Sequence, residues 1–350
     1  MTSILISTIY NEDFFFNKII EAKKETVIEV IKYKNDFYTT FEVAKKSGKR
    51  IISCIAEDSL LYRIQRNLTN NFFNNIPIAT SVYGFVKGYS YKDFLEPHIN
   101  KKQSKKYYLR VDIKNFFDSI DSEIIREILE YYFNLENDKE NEDLLNLVID
   151  IITLGDTLPQ GAVTSPVLSN IVFRPLDLRI QKYCEKLNVT YSRYADDMLF
   201  SSYDRRIFDN FFLGMICNIL KTKGFLINYL KLKRGTTQIS LNGFVVGKNL
   251  RISRSKLYDI SKILFLFDKG GKPTNIKEYL MRLNSTEFHF RKEMEDGYFK
   301  NKNQLVNYLC GYRSFLISWL PQRDEKYTYE KTKRLINRIE NLVDQIEILE

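Results

Sequence analysis

Val189-Thr190-Tyr191-Ser192-Arg193-Tyr194-Ala195-Asp196-Asp197-Met198-Leu199-Phe200-Ser201-Ser202 is the stretch on which the reading of this chain turns. Two apolar, aromatic runs flank two adjacent carboxylates, so the pattern predicts a strand, a tight acidic turn and a second strand. Asp196 and Asp197 repel each other at a hairpin tip unless a cation lies between them. Asp-Asp in a turn is also ordinary solvated turn chemistry, and the pair alone does not decide. A distant acid does. Tyr107-Tyr108-Leu109-Arg110-Val111-Asp112-Ile113-Lys114-Asn115-Phe116-Phe117 reads as another strand, with Asp112 where it should end. Carboxylates converging from separate elements on two ions about 3.5–4 Å apart are what two-metal phosphoryl transfer needs. Two Mg²⁺ ions, or Mn²⁺ in their place, are the cofactors this pattern implies.

Between the two runs lies Leu158-Pro159-Gln160-Gly161-Ala162-Val163-Thr164-Ser165-Pro166-Val167-Leu168-Ser169-Asn170. The order Asp112…Phe117, then Pro159-Gln160-Gly161…Ser165-Pro166…Asn170, then Tyr194-Ala195-Asp196-Asp197 resembles the reverse transcriptases. The nearest likeness is to their bacterial retron-type and defence-associated branch, related to the group II intron enzymes. The three motifs in order are specific; each alone is an ordinary strand end or turn. The resemblance implies an α+β right-hand polymerase with fingers, a palm built on an antiparallel sheet and a helical thumb. It divides the chain into N-terminal helices and fingers over 1–110, a palm over 111–245 with a helical insertion at 118–157, and a thumb with a C-terminal helix over 246–350. It implies RNA-directed DNA polymerase activity on a structured noncoding RNA, with antiphage defence as the host role.

By the same resemblance, Asp112, Asp196 and Asp197 are catalytic and hold the metal, Asp197 in support. Phe117 is a steric gate against the ribonucleotide 2′-hydroxyl, favouring dNTPs, while Phe116, on the opposite face of the strand, is core. Phe37–Val43 and Arg50–Ile55 bracket a basic tip, a hairpin signature; Arg50, assisted by Lys45, Lys46 or Lys49, would clamp the incoming triphosphate. A solvated basic turn is the competing reading. Gln160 and Gly161 would pack against nucleotide and template base, and Lys231 would approach the phosphates. Gly84-Phe85-Val86-Lys87-Gly88 resembles a template-side motif in which Gly84 lets backbone approach nucleic acid and Lys87 supplies charge; a plain turn fits the residues equally well. Leu241-Asn242-Gly243-Phe244 resembles a primer-grip turn, with Asn242 and Gly243 at the primer end.

The chain departs from the retron pattern in two places. The Asn-Ala-x-x-His element is reduced to Phe94-Leu95-Glu96-Pro97-His98, and Val-Thr-Gly is replaced by Leu241-Asn242-Gly243. In retron enzymes these elements are associated with recognising the cognate RNA, so the polymerase likeness is firmer than the retron likeness. Three other readings remain open. One is untemplated or protein-primed DNA synthesis, for which any of 23 tyrosines offers a hydroxyl. Another is a non-catalytic RNA-binding scaffold, which would have no reason to keep mutually repelling acids. The third is a group II intron maturase.

Composition agrees with an anionic partner. The formal net charge is +9, and Lys221 to Lys256 holds nine Lys or Arg and no Asp or Glu. The acidic stretch Glu136–Asp143 is expected to be a solvated loop facing away from nucleic acid. Cys54, Cys184, Cys217 and Cys310 lack paired spacing, which argues against zinc and disulfides and for a reducing, cytoplasmic location. No apolar run approaches the ~20 residues of a membrane span. Leu335, Ile339, Leu342, Ile346 and Leu349 form a short heptad seam expected to pack on the thumb rather than dimerise. Expected partners are the RNA template, the DNA product and dNTPs, with an effector protein or a second copy of the chain beyond these, and no membrane.

Overall fold

The computed structural model of the chain describes residues 8–44, 49–134, 137–269, 275–288, 298–320 and 326–349. It divides into two compact units, Met1–Ile239 and Ser240–Glu350. In the first, the short helix α1 (Glu12–Phe14) is capped by Asn11 Oδ1, which accepts from the Phe14 N–H. It widens into a π-turn, Phe15–Ile20, that buries both phenylalanines and both isoleucines. Helix α2 (Lys24–Lys32) leads into β1 (Tyr38–Ala44), which pairs antiparallel with β2 (Lys49–Ile55), Tyr38 opposite Ile55. The expected basic residues Lys45 and Lys46 lie outside the described residues, as does the Lys49 side chain. Helix α3 (Leu60–Asn71) buries Leu61, Ile64 and Leu68, the spacing of one helical face. The short α4 (Tyr91–Leu95) opens in a Ser90/Asp93 capping box.

Strands β3 (Tyr107–Asp112), β4 (Thr190–Tyr194), β5 (Asp197–Ser202) and β6 (Lys233–Thr236) form one sheet in the order β4-β5-β3-β6. Each of its pairings is antiparallel. Helices α5 (Ser122–Leu129) and α6 (Asp138–Ile152) pack on each other, and α7 (Ser165–Lys186) packs on α8 (Asn210–Lys221) and β4. From Asp138 onward the acidic stretch is therefore helical rather than a loop. Asn137 caps α6, and Asp138 and Glu140 sit in its first turn, where they face the positive end of the helix dipole. This core includes an aromatic triad, Phe116, Phe173 and Phe225, with ring centroids 5.0 to 5.9 Å apart. Burying each such ring contributes roughly 1.5–3 kcal/mol.

The boundary of the second unit falls one residue into β7 (Ile239–Leu241), which forms a sheet with β8 (Phe244–Val246) and β9 (Leu250–Ile252). Asn242 and Gly243 join β7 to β8 with φ of 45° and 87°, the positive pair that an Asn-Gly hairpin turn requires. Four helices follow among the described residues: α9 (Arg254–Lys269), α10 (Ile276–Asn284), α11 (Lys302–Ser318) and α12 (Lys326–Ile348). The α12 seam buries Ile336, Ile339, Leu342 and Ile346 in the core of this unit, with Leu335 only partly covered. Among the described residues no helix is long and apolar enough to cross a membrane.

Candidate active site

The three acids gather at one end of the four-stranded sheet because of register. Asp112 is the last residue of β3 and Asp197 the first of β5, and the two are directly paired. Side chains of a directly opposed pair lie on one face with Cβ atoms about 4.5–5.5 Å apart. Asp197 is thus a strand residue, and the turn proper is Ala195-Asp196, with Ala195 left-handed at φ 55°. The Asp196 carbonyl accepts from the Ile113 N–H at 3.0 Å, latching the turn to the residue after Asp112. Asp112 and Asp197 are only 2% and 5% exposed.

Burying like charges together needs compensation, and two cations provide part of it. Arg110, two residues before Asp112 and so on its face, donates from Nε and Nη2 to Asp197 Oδ1 at 2.6 and 2.5 Å. Burial lowers the Arg110 pKa, but the adjacent Asp197 more than offsets this and holds it above the ordinary value. Lys231 Nζ donates to Asp112 Oδ2 at 2.9 Å. Asp196 is pushed above the usual carboxylate range, first by burial and then by Asp197 and Asp112. Asp112 Oδ1 is buried without a hydrogen-bond partner. Stripping Arg110 from the buried Asp197 would cost on the order of 3–5 kcal/mol; the half-exposed Lys231 is screened by solvent and contributes less.

A second buried pair fixes the turn from behind. Arg193 in β4 and Asp177 in α7 are both fully buried, joined by Nε to Oδ1 at 2.8 Å and Nη2 to Oδ2 at 2.6 Å. Tyr191 Oη donates to Asp177 Oδ1 at 2.7 Å, and the Arg193 guanidinium lies 4.5 Å from the Phe173 ring centre. Its remaining arm, Nη1, donates to the carbonyl of Ala195 at 3.1 Å. On the other side, residues 81–83 run along β4 through Arg193 N–H to Ser81 C=O and Tyr83 N–H to Arg193 C=O, at 2.8 and 2.9 Å. Asn170 Nδ2 then donates to the Gly84 carbonyl at 2.8 Å.

Gly84 does not have the neighbour expected of it. A Cβ there would lie 2.5 Å from Ala195 N and 3.0 Å from Tyr194 Cα, so protein backbone fills the space that the sequence reading assigned to nucleic acid. Lys87 is exposed in the following turn. Gly161, at φ 113°, similarly abuts β2: a Cβ would meet Ser53 O at 2.9 Å and Ile52 Cγ2 at 3.0 Å. The Gln160 carbonyl accepts from the Ser53 N–H at 2.7 Å, docking the loop on the hairpin. Arg50 shares the β2 face of Ile52 and Cys54 and is exposed. Phe116 and Phe117 lie on a turn after β3 rather than on a strand. Phe116 is buried and Phe117 half-buried, so the two part company through the turn and not through strand alternation. Asn242 and Gly243 belong to the second unit.

Among the described residues no three His, Cys, Asp or Glu side chains stand as a ready metal cluster; Arg110 and Lys231 take up oxygens of Asp197 and Asp112. Mg²⁺ is commonly held by only one or two carboxylates, with water and substrate phosphates completing its shell. The unpartnered, buried Asp112 Oδ1 is a hard oxygen of the kind it takes, so the residues fit the ion. Sequence reasoning missed Arg110, Arg193, Asp177 and the clamp at Asn170. Arg110 was legible from its two-residue spacing to Asp112. Asp177 left a fainter mark, one acid in the stripe Phe173, Asp177, Ile180, Cys184, each of them buried.

The family described as reverse transcriptase (RNA-dependent DNA polymerase) matches residues 34–246. The chain is 31% identical over 283 residues to the retron Ec73 reverse transcriptase of Escherichia coli, covering 75% of this chain and 87% of that one. It is 28% identical over 235 residues to the retron Mx65 reverse transcriptase of Myxococcus xanthus, covering 63% and 53%. Among solved structures, a C-terminally truncated apo telomerase from Candida tropicalis aligns with a TM-score of 0.46 at 12% identity, over 65% of this chain and 59% of that one.

Proposed function

The chain belongs to the reverse transcriptase family, the RNA-directed DNA polymerases, and on that premise we propose that it copies a structured noncoding RNA into DNA by two-metal nucleotidyl transfer in antiphage defence. The observation that carries the chemistry is the direct pairing of Asp112 with Asp197 beside Asp196, with Asp112 Oδ1 left unpartnered. The template and the defence role rest on the likeness to retron enzymes.

Asp112 and Asp196 would hold two Mg²⁺, which when bound supply a lowered pKa for the attacking primer hydroxyl and charge to offset the leaving pyrophosphate. Arg110 holds Asp197 Oδ1 to one side, so that Asp197 supports Asp196 with part of its charge already offset. Lys231 Nζ, half-exposed beside Asp112, gives a proton to the departing pyrophosphate oxygen and regains one from water. Arg50 binds the triphosphate, and the Gln160-Gly161 loop, docked on the same hairpin, lines the nucleotide. Phe117 closes the space beside the sugar C2′. The proposed chemistry calls on no histidine: His98 is fully buried, and His289 lies outside the described residues.

The test is to add labelled dNTPs and Mg²⁺ to the protein purified with its bound nucleic acid, and to sequence the product. The double variant Asp196→Asn, Asp197→Asn should lose synthesis while still retaining RNA. Undiminished polymerisation by that variant overturns the site assignment. DNA synthesis that persists after RNase treatment replaces templated copying with untemplated or protein-primed synthesis.

A further inference from the structure

We infer that Phe85 is a specificity-determining residue, whose ring buttresses Phe117 and so sets how closely the gate approaches the nucleotide sugar. The inference rests on the gate role proposed for Phe117. A phenyl ring excludes a hydroxyl group only if it is held in place, and Phe117 sits on a turn, where the backbone alone does not hold it. Two rings do so. Phe116 meets it edge-on at 5.4 Å from the core side, itself locked against Phe173 and Phe225. Phe85 meets it at 6.1 Å, tilted by 55°.

Phe85 is costly in itself. Its φ is 60°, a left-handed conformation that strains a residue with a bulky side chain. The residue is also 40% exposed, so burial offsets that strain only in part. The neighbouring chain imposes the conformation. Before it, Tyr83 N–H is bound to Arg193, the Gly84 carbonyl to Asn170, and the Gly84 backbone lies against Ala195. After it, the turn closes with Tyr89 N–H to Val86 C=O at 3.2 Å. The segment that touches the acidic turn therefore also presents one ring to Phe117. Gate and acids are tied to a single backbone stretch, and strain persists at the residue that joins them.

The experiment measures single-nucleotide incorporation and compares kcat/KM for a dNTP with that for the matching rNTP. The readout is their ratio, which a general loss of activity does not move. Phe85→Ala should lower the ratio about 3- to 10-fold, the scale of one lost aromatic pair. Phe85→Asn accepts the left-handed backbone without the ring and should lower it as far; Phe85→Tyr keeps the ring and should keep the ratio. Phe117→Ala should lower it further, and adding Phe85→Ala to Phe117→Ala should change nothing more, because the buttress then has nothing to hold. An unchanged ratio in Phe85→Ala and Phe85→Asn alongside a lowered one in Phe117→Ala overturns the role of Phe85 alone. An unchanged ratio in all of them overturns the gate itself.

Discussion

His98 shows how much one residue can mislead when read without its neighbours. In the sequence it belongs to an element associated with RNA recognition, yet its side chain reaches no surface. Its ring nitrogens lie 2.7 Å from Ser201 Oγ and 2.7 Å from Ser192 Oγ. Ser192 gives its own proton to the Phe94 carbonyl at 2.9 Å, so it must accept from Nε2–H, and neutral Nδ1 accepts from Ser201. The imidazole pins β4 to β5 behind the acids, in the uncharged form. Burial, and then Lys106, hold its pKa well below 6.5. The unfolded chain therefore takes up this proton first, and the contribution of His98 is full above about 6.5 and declines as pH falls below it. Lys106, lowered to about 8 by burial and then by Lys101, titrates above that window. The thermal midpoint should fall between pH 7 and pH 5, and His98→Gln, though less stable, should show a flatter slope. Parallel slopes for the two proteins would contradict the neutral pin.

At the scale of the element, the β4–β5 hairpin is shaped less by its own turn than by what grips it. Its turn has a non-glycine residue at positive φ, Ala195, and three groups constrain it: Arg193, the Ile113 N–H and the Gly84 backbone. Gly84→Ala places a methyl carbon 2.5 Å from Ala195 N, where the obstacle is backbone and cannot rotate away. The expected result is a loss of about 1–3 kcal/mol in stability, with a larger loss of primer extension, because the acids move with the turn. Thermal unfolding and primer extension on the same preparation test this; wild-type values for both would mean that the approach is not tight. A glycine needed for close packing on protein and one needed for close packing on nucleic acid look alike in a sequence. Only the neighbour distinguishes them.

For the whole molecule, the net charge of +9 favours an anionic partner, and the proposed binding of nucleic acid should be largely electrostatic. The nine cations from Lys221 to Lys256 span the end of the first unit and the start of the second. If six to ten phosphates are engaged, RNA affinity should fall about 10³- to 10⁵-fold between 50 and 200 mM salt, linearly in log–log form. A filter-binding titration measures it, and an affinity indifferent to salt would remove the basic run from the interface. The strands around Asp112 and Asp196 and the packing of α12 were legible in the sequence, because periodicity and turn chemistry are local. The spacing of the acids was legible for the same reason: strands place their end residues predictably. What the sequence determined by itself was the family and the strands that bear its motifs. Tertiary structure decided which partner each polar group meets: Arg110 with Asp197, Lys231 with Asp112, Arg193 with Asp177 and Ala195, His98 with two serines, Phe85 with Phe117. Those pairings join residues from 2 to 119 positions apart, and local pattern carries no information about which buried charge will find which. Desolvation makes that choice, since a buried charge or donor left without a partner costs more than the chain can spare.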